Sequence, residues 1–270
     1  MLLSLTRTSG DPFAGAAPRL RPPRVRAALV HLTLSAMVAA LVFLPLYFYW
    51  YPDVLFESAG GRDLFRLVIS VDVTLGPLIT LIVFKPGKNG LLFDLAVIGL
   101  LQVSALCYGV YVLFESRPVY IAYVVDRYEI VRANGFPEGE LDKGHAAGYD
   151  RLSWTGPKLV GVRLPTDPDE SFNLGISGMG GVDAQYYPRY YVPYDKVRGE
   201  VKAKAQPIAV LRKRNPQGSP LIDQVIAALG RNEADLRFVP MRAGKADLTV
   251  FVDPENGDIL KITSLNPWGE

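Results

Sequence analysis

One carboxylate stands out because of its surroundings: Asp72 lies eight residues into an apolar run that extends over residues 64–84. A charged side chain in hydrocarbon costs roughly 2.5–3.5 kcal/mol on insertion scales, and it usually faces protein rather than lipid. The chemistry open to it is hydrogen bonding or ion pairing. Two interpretations follow: the carboxyl docks another membrane helix, or it is satisfied within the chain by Thr74, Ser104 or Gln102.

Gly76 and Pro77 follow Asp72 in the same run. Proline has no backbone N–H, so a carbonyl near residue 73 loses its helical donor and a kink is expected there. Asp94 stands near the start of the next apolar run, where Lys88 or water can pair with it. The sequence therefore predicts a kinked helix that carries a buried carboxylate.

No other set of residues predicts catalysis or metal binding. His145 lies in a Gly-rich loop without a neighbouring Ser or Cys, and the HExxH, CxxC and GxSxG motifs are absent. The chain has two histidines and one cysteine, which argues against a His-rich metal site and excludes an intrachain disulfide. The glycines of residues 175–181 match neither nucleotide fingerprint and predict a flexible loop. We expect no enzyme, no cofactor and no metal.

A tyrosine-rich segment is the second candidate for partner binding. Residues 184–194 contain five tyrosines, and tyrosine offers large contact area at low entropy cost. The candidate binding residues are Tyr186, Tyr187, Tyr190 and Tyr191. A strand or a membrane-surface contact is the alternative, and we favour the structural interpretation.

Three apolar runs must position these residues. They predict membrane-spanning helices over residues 27–50, 64–84 and 91–114, since each can cross about 30 Å of hydrocarbon at about 1.5 Å per residue. Aromatic residues that favour the headgroup layer end the first run: Tyr47, Tyr49, Trp50 and Tyr51. A cleaved signal peptide is the alternative there, but this run is longer than the roughly 7–15 apolar residues of such a peptide.

Charge predicts the orientation of the three spans. Residues 1–26 are rich in Arg without apolar periodicity, which predicts a disordered basic arm, and Lys85 and Lys88 lie in the turn between the second and third spans. The loop over residues 52–63 is acidic. The positive-inside rule then places the N-terminus and the turn in the cytoplasm and residues 115–270 outside it. The net charge of +2 is too small to suggest nucleic acid.

Residues 115–270 predict one soluble α+β domain. Short β-branched and aromatic runs predict strands, and Ser219 as N-cap, Pro220 and Gly230 bound a helix. The last part predicts an antiparallel meander because Asn256-Gly257 supplies the turn between its final two strands. The fold class predicted is a three-helix membrane protein, N-in and C-out, with an α+β extracytoplasmic domain whose sheet is mainly antiparallel.

Short motifs spread over nearly all of the chain after residue 25 carry a resemblance to a known family. They are His31 and residues 50–52, 71–78, 85–88, 93–96, 109, 117–120, 126–129, 238–242 and 265–268. On these residues the chain resembles the TfpX/TfpZ family of type IV pilin accessory proteins.

The resemblance implies a multi-pass inner-membrane protein, with a periplasmic C-terminal domain, that helps a major pilin reach the assembled fibre. The implied partners are prepilin or pilin and the lipid bilayer, with inner-membrane pilus assembly proteins as further candidates. In this reading the Asp72 face, with Gly76 and Pro77, holds the pilin helix and the soluble half holds its head. The alternatives are a membrane-anchored periplasmic sensor and an accessory factor in pilin modification.

Overall fold

The computed structural model describes residues 22–269 of the chain. The basic arm predicted over residues 1–26 therefore lies outside the described residues up to residue 21, and residues 23–26 belong instead to the first helix. Pro23 starts that helix, a position where the missing N–H of proline costs no helical hydrogen bond.

Three long apolar helices dominate the first half. They are α1 (Pro23–Trp50), α3 (Gly61–Val83) and α4 (Leu91–Glu115), and the one-turn helix α2 (Leu55–Ser58) lies between the first two. They lie where the sequence predicts the spans, but α1 and α3 begin earlier than predicted, at Pro23 and Gly61. Helix α3 packs against both α1 and α4. Few residues along the three helices are buried, as expected for surfaces that face lipid.

Two prolines change the winding of these helices. In α1 a π-helical turn over Leu46–Trp50 follows Pro45, and in α3 a π-helical turn over Val71–Leu75 precedes Pro77. Pro77 cannot donate to the carbonyl of residue 73, which lies within the π turn of α3, so the backbone widens there by one residue. The carbonyl that Pro45 leaves free is that of residue 41, which precedes the π turn of α1. The distortion expected at Gly76-Pro77 takes this form, and it places Asp72 within the π turn.

An eight-stranded sheet forms the core of the second half. Its strands are β1 (Pro118–Val124), β2 (Arg127–Arg132), β3 (Lys158–Val162), β4 (Tyr191–Pro193), β5 (Gln206–Pro207), β6 (Arg237–Arg242), β7 (Asp247–Val252) and β8 (Ile259–Thr263). The order is β4-β3-β1-β2-β6-β7-β8, and β5 pairs with β6. The connections contain the helices α5 (Glu140–Lys143), α6 (Pro168–Met179), α7 (Arg198–Lys204), α8 (Ile208–Arg214) and α9 (Ser219–Leu229).

The prediction of a mainly antiparallel sheet is wrong, because the sheet is mixed. The meander β6-β7-β8 is antiparallel as predicted, but β1 pairs with β3 and β2 pairs with β6 in parallel. Both parallel pairs join strands separated by long connections, which allow the chain to cross back over the sheet. Local sequence patterns predict hairpins between consecutive strands, but they do not predict which strands from distant parts of the chain pair with each other.

Two local predictions in this half are also corrected. Residues 175–179 belong to helix α6 rather than to a flexible loop, and Asp167 caps that helix by accepting from the Glu170 N–H at 2.9 Å. The N-cap of α9 is Gly218 instead of Ser219, while Gly230 ends the helix in a left-handed conformation, as predicted.

The long helices and the sheet share one apolar core, centred on Tyr51. Its side chain has no exposed surface, its hydroxyl donates to the Leu113 carbonyl at 3.2 Å, and its ring lies against Gly61. The core therefore joins the end of α1, the start of α3 and the end of α4.

Polar contacts from the segment between α1 and α3 reinforce this junction with the sheet. Lys261 of β8 pairs with Asp53 at 2.7 Å, and Lys245 pairs with Asp63 at 2.6 Å. Arg132 of β2 donates to the carbonyl of Ala59 at 3.1 Å. Strands β2 and β8 and the loop between β6 and β7 are thus attached to the ends of the long helices.

Replacing Tyr51 with Phe tests this junction. The change keeps the ring but leaves the buried Leu113 carbonyl without its donor, so we expect the free energy of unfolding to fall by about 1–3 kcal/mol. The measurement is denaturant unfolding of the full chain in detergent. Tyr108→Phe is the control, since that side chain is 70% exposed on α4 and should have no effect. Equal stability of the two variants would contradict the role of Tyr51.

Candidate functional site

A cleft of about 650 Å³ lies between α1 and α4, with α3 at its back; we call it the membrane cleft. Its apolar walls consist of residues spaced three or four apart on the two helices: Ala27, Val30, Leu34 and Val38 on α1, and Leu95, Gly99, Val103 and Leu106 on α4. Residues at this spacing share one face of a helix. Two helix faces therefore bound the cleft, and no helix among residues 22–269 packs between them.

Polar side chains are concentrated at the back of the membrane cleft. They are His31 and Ser35 of α1, Asp72 and Thr80 of α3, and Gln102 of α4. The His31 Nδ1 and the Thr80 Oγ1 are hydrogen-bonded at 2.6 Å. Within apolar helices, such side chains find few other partners, because lipid chains neither donate nor accept hydrogen bonds.

Asp72 is the least satisfied member of this group. Its residue is 5% exposed, and its Oδ1 has no hydrogen-bond partner within the described residues 22–269. The Gln102 amide and the His31 ring are the polar groups that approach the carboxyl. A buried acceptor without a donor is costly in a medium of low dielectric constant. The carboxyl can therefore accept a hydrogen bond from a donor that enters the cleft.

Gly76 lets the polar groups of all three helices meet. A Cβ at this position would lie 2.1 Å from the Gln102 Nε2 and 2.8 Å from the His31 Nε2. Any side chain here would displace the two groups that flank Asp72. Because Gly76 has no side chain, Gln102 and His31 can lie next to Asp72, directly after the π turn.

The membrane cleft extends from the middle of the helices to one end. Because α3 begins at Gly61, eleven residues of the helix precede Asp72 and eleven follow it up to Val83. From that level the lining continues to Arg26 and Phe84, at the helix ends remote from the sheet. The carboxyl therefore lies at mid-helix rather than near the sheet, and the cleft lies on the side of the basic residues.

The structure shows which of the intrachain neighbours predicted for Asp72 and Asp94 lie close to them. Gln102 approaches Asp72 as one of the proposed intrachain neighbours, whereas Thr74 and Ser104 are exposed and lie outside the cleft lining. Asp94 forms an ion pair with Lys88, as the sequence suggested. Ser35 and Thr80 were not foreseen, although the four-residue spacing of residues 31 and 35, and of 72, 76 and 80, could have indicated one polar face on each helix.

Comparison with known proteins identifies the family. The chain is 36% identical over 104 residues to the fimbrial assembly protein of serogroups C1 and C2 from Dichelobacter nodosus, covering 38% of this chain and 79% of that relative. The chain belongs to the fimbrial assembly proteins. Relatives of serogroups I and E1 from the same organism are 29% and 25% identical over 242 residues, covering 88% of this chain and 94% of each relative. No family model matches the chain, and no solved structure is a significant match.

Membership of the fimbrial assembly proteins confirms, at that level, the resemblance drawn from the short motifs. It assigns no role to single residues. The site residues therefore have to be judged from their places in the structure.

The tyrosine segment of this fimbrial assembly protein lies mostly inside the sheet domain. Tyr187, Tyr190 and Tyr191 are buried in a core on one face of the sheet, and Tyr186 packs against that core. The ring of Tyr191 lies 5.1 Å from that of Tyr120, and the Tyr190 hydroxyl donates to Glu170 at 2.8 Å. Burial favours the structural interpretation of the segment, and partner binding by these four residues stays a prediction.

Substituting Gly76 with Ala tests the packing at the back of the membrane cleft. The added methyl meets the ends of the Gln102 and His31 side chains, which must move away, so we expect Gly76→Ala to be less stable than Gly99→Ala by about 1 kcal/mol. Gly99→Ala is the matched control, because a Cβ there meets nothing within 4 Å and a helical Gly-to-Ala change is favourable by about 0.5–1 kcal/mol. Unfolding of both variants in detergent provides the comparison. The assignment fails if Gly76→Ala is as stable as the control.

Proposed function

We propose that this fimbrial assembly protein is a type IV pilin accessory protein of the TfpX/TfpZ kind, which holds the membrane helix of prepilin in the membrane cleft. The unpaired Asp72 carboxyl at the back of that cleft carries the proposal. A lipid chain could fill the apolar part but could not satisfy the carboxyl. A helix that brings a hydrogen-bond donor to mid-membrane satisfies both.

The dimensions of the cleft support a helical occupant. The lining of α1 runs from Pro23 to Val38, and that of α4 covers the eleven residue steps from Leu95 to Leu106. Eleven residue steps of helix span about 16 Å, which corresponds to three helical turns. Gly99 lies open on the α4 wall, where the absence of a side chain allows a helix backbone to approach closely.

The distribution of charged and aromatic residues supports the predicted orientation. Arg24, Arg26, Lys85 and Lys88 lie at the helix ends remote from the sheet. At the opposite ends, Trp50 packs on Phe114 with ring centroids 5.2 Å apart, as in an interfacial aromatic belt. The proposal therefore places the helices in the inner membrane, the basic ends in the cytoplasm and the sheet domain in the periplasm.

This orientation puts the membrane cleft in the cytoplasmic half of the bilayer. In the picture that the resemblance implies, prepilin is one membrane helix with a globular head outside the cytoplasm and a charged end near the inner side. The cleft would cover the inner half of that helix while it awaits assembly. The proposed role is chaperone-like binding, without a catalytic step, followed by transfer to the inner-membrane assembly proteins.

The test is photocrosslinking in cells that produce the neighbouring pilin. A photoreactive residue at position 103 faces the cleft, whereas one at position 101 faces away from it; Val103 and Leu101 are 58% and 66% exposed, which makes them a matched pair. We expect a pilin adduct from position 103 only. Asp72→Asn should weaken that adduct and reduce surface piliation, because the amide replaces the charge-assisted acceptor.

Asp94→Asn is the control substitution, since Asp94 pairs with Lys88 outside the cleft lining. Asp72→Asn is expected to fold, because it removes a carboxyl that is costly to bury in a membrane helix. Absence of a pilin adduct from position 103, with the protein present at normal levels, would contradict the proposal and return attention to the sensor and pilin-modification alternatives. Unchanged adduct and piliation in Asp72→Asn would remove Asp72 from the site.

A further inference from the structure

The sheet domain has a second cavity, of about 630 Å³, between α6 and the ends of β1, β2 and β6; we call it the sheet cavity. It brings together two of the sequence motifs noted above, residues 126–129 and 238–242, which are remote in the chain. The parallel pairing of β2 with β6 sets Glu129 directly opposite Arg242. This juxtaposition follows from the strand order and takes no part in the membrane cleft.

Charged groups form the floor of the sheet cavity. Two arginines and two carboxyl side chains line it: Arg127, Arg242, Glu129 and Asp183. The Arg127 Nε lies 3.1 Å from the Asp126 Oδ1 and 3.9 Å from the Glu129 Oε1. The side chain of Glu129 is 16% exposed. Arg242 forms no ion pair with any of the described residues 22–269. The cavity thus holds two guanidinium groups and two carboxyls, and Arg242 is the guanidinium that keeps free donors among the described residues.

The rim of the sheet cavity is apolar and strained. Val125, in the two-residue turn between β1 and β2, has a φ of 57° and is 52% exposed. A β-branched residue in the left-handed region is a backbone outlier that costs of order 1–3 kcal/mol. Leu164 and Met179 stand at the same rim, 48% and 87% exposed.

Helix α6 extends this apolar rim into a stripe. Phe172, Ile176 and Met179 recur at a spacing of four and three residues and are 68%, 54% and 87% exposed. Ser171, Gly175 and Gly178, on the adjoining face, line the cavity itself. Since consecutive residues are about 100° apart around a helix, the exposed stripe borders the cavity mouth. Contiguous exposed apolar side chains of this kind mark interaction surfaces.

We propose that the sheet cavity and the α6 stripe bind a polypeptide segment that carries a carboxylate next to apolar side chains. The guanidinium group of Arg242 receives the carboxylate in charge-assisted hydrogen bonds, while Arg127 stays paired with Asp126. The apolar neighbours in the segment cover Val125, Met179 and the α6 stripe. The inference does not rest on the proposed role of the membrane cleft.

The titration of Glu129 adds a pH dependence to this site. Burial raises the pKa of Glu129 to about 7, against the opposing effects of Arg242 and Arg127, while the negative charges of Asp183 and Asp247 raise it further. Tyr186 is the remaining titratable neighbour. As the pH falls below 7, Glu129 becomes increasingly neutral and leaves Arg242 available to a ligand carboxylate. Above pH 7 its own charge competes, so affinity for the segment falls as the pH rises.

The experiment measures binding of a short peptide to the full-length protein in detergent. The probe is an acetylated and amidated tripeptide of phenylalanine, glutamate and phenylalanine, and the comparison peptide has glutamine at its centre. We expect the glutamate peptide to bind about tenfold more tightly, the effect of one charge-assisted contact. Arg242→Gln should abolish this preference. Arg237→Gln, at the other end of β6 and outside the cavity, is the matched control and should retain it.

Glu129→Gln should keep the affinity for the glutamate peptide and remove its decrease between pH 6 and pH 8. A peptide terminating in a free carboxylate shows whether the group can come from a chain end as well as from a side chain. Equal affinity for the glutamate and glutamine peptides, or no measurable binding of either, would overturn the proposal on the native protein alone. Tighter binding of a fatty acid than of the peptide would also overturn it in favour of a lipid ligand.

Discussion

The burial of Tyr51 at the end of α1 is the interaction on which the arrangement of the molecule depends. Its ring fills the space beside Gly61, and its hydroxyl binds the last turn of α4. The surrounding ion pairs are exposed and each contributes at most about 1 kcal/mol, so the apolar contact supplies most of the stabilisation. One core cluster contains Tyr51 together with residues of the three long helices and of the sheet, so the helices that form the membrane cleft and the strands that form the sheet cavity pack on the same core.

Three features of the protein oppose stability, and all three occur at the two proposed sites. Asp72 holds an unpaired acceptor among apolar helices, Val125 has a positive φ, and α6 exposes an apolar stripe. Each cost in folding free energy could be removed by one substitution. An amide at position 72 would remove the buried carboxyl, a glycine at 125 the backbone strain, and a charged side chain at 176 part of the exposed apolar surface. Their coincidence with cavities favours binding as the reason for them, since strain and exposed apolar surface concentrate where ligands are received.

Local patterns in the sequence were enough for the elements that depend on neighbours in the chain. The three apolar helices, the β6-β7-β8 meander and the Lys88–Asp94 pair follow from composition, turn residues and short spacing. Long-range pairing was beyond such patterns. Nothing near residues 126–129 indicates that β6 lies beside them, so the sheet cavity was not predicted. The glycines of α6 suggested a loop, although Asp167 as an N-cap was a signal for the helix that forms there. The tyrosines of residues 184–194 did not indicate which of them would be buried.

The presence of two proposed sites in one chain also affects how tightly a partner with a membrane helix and a soluble part could bind. If a membrane helix occupies the membrane cleft, any soluble part attached to it is confined near the sheet domain, and a second contact there is effectively intramolecular. Its contribution then depends on whether the connecting segment matches the fixed separation of the sites rather than on the strength of either contact. A loose junction would lose that advantage by letting the sites move apart. With both proposed sites occupied by one partner, Tyr51 would affect binding without touching it, because Tyr51 belongs to the core that connects the long helices to the sheet.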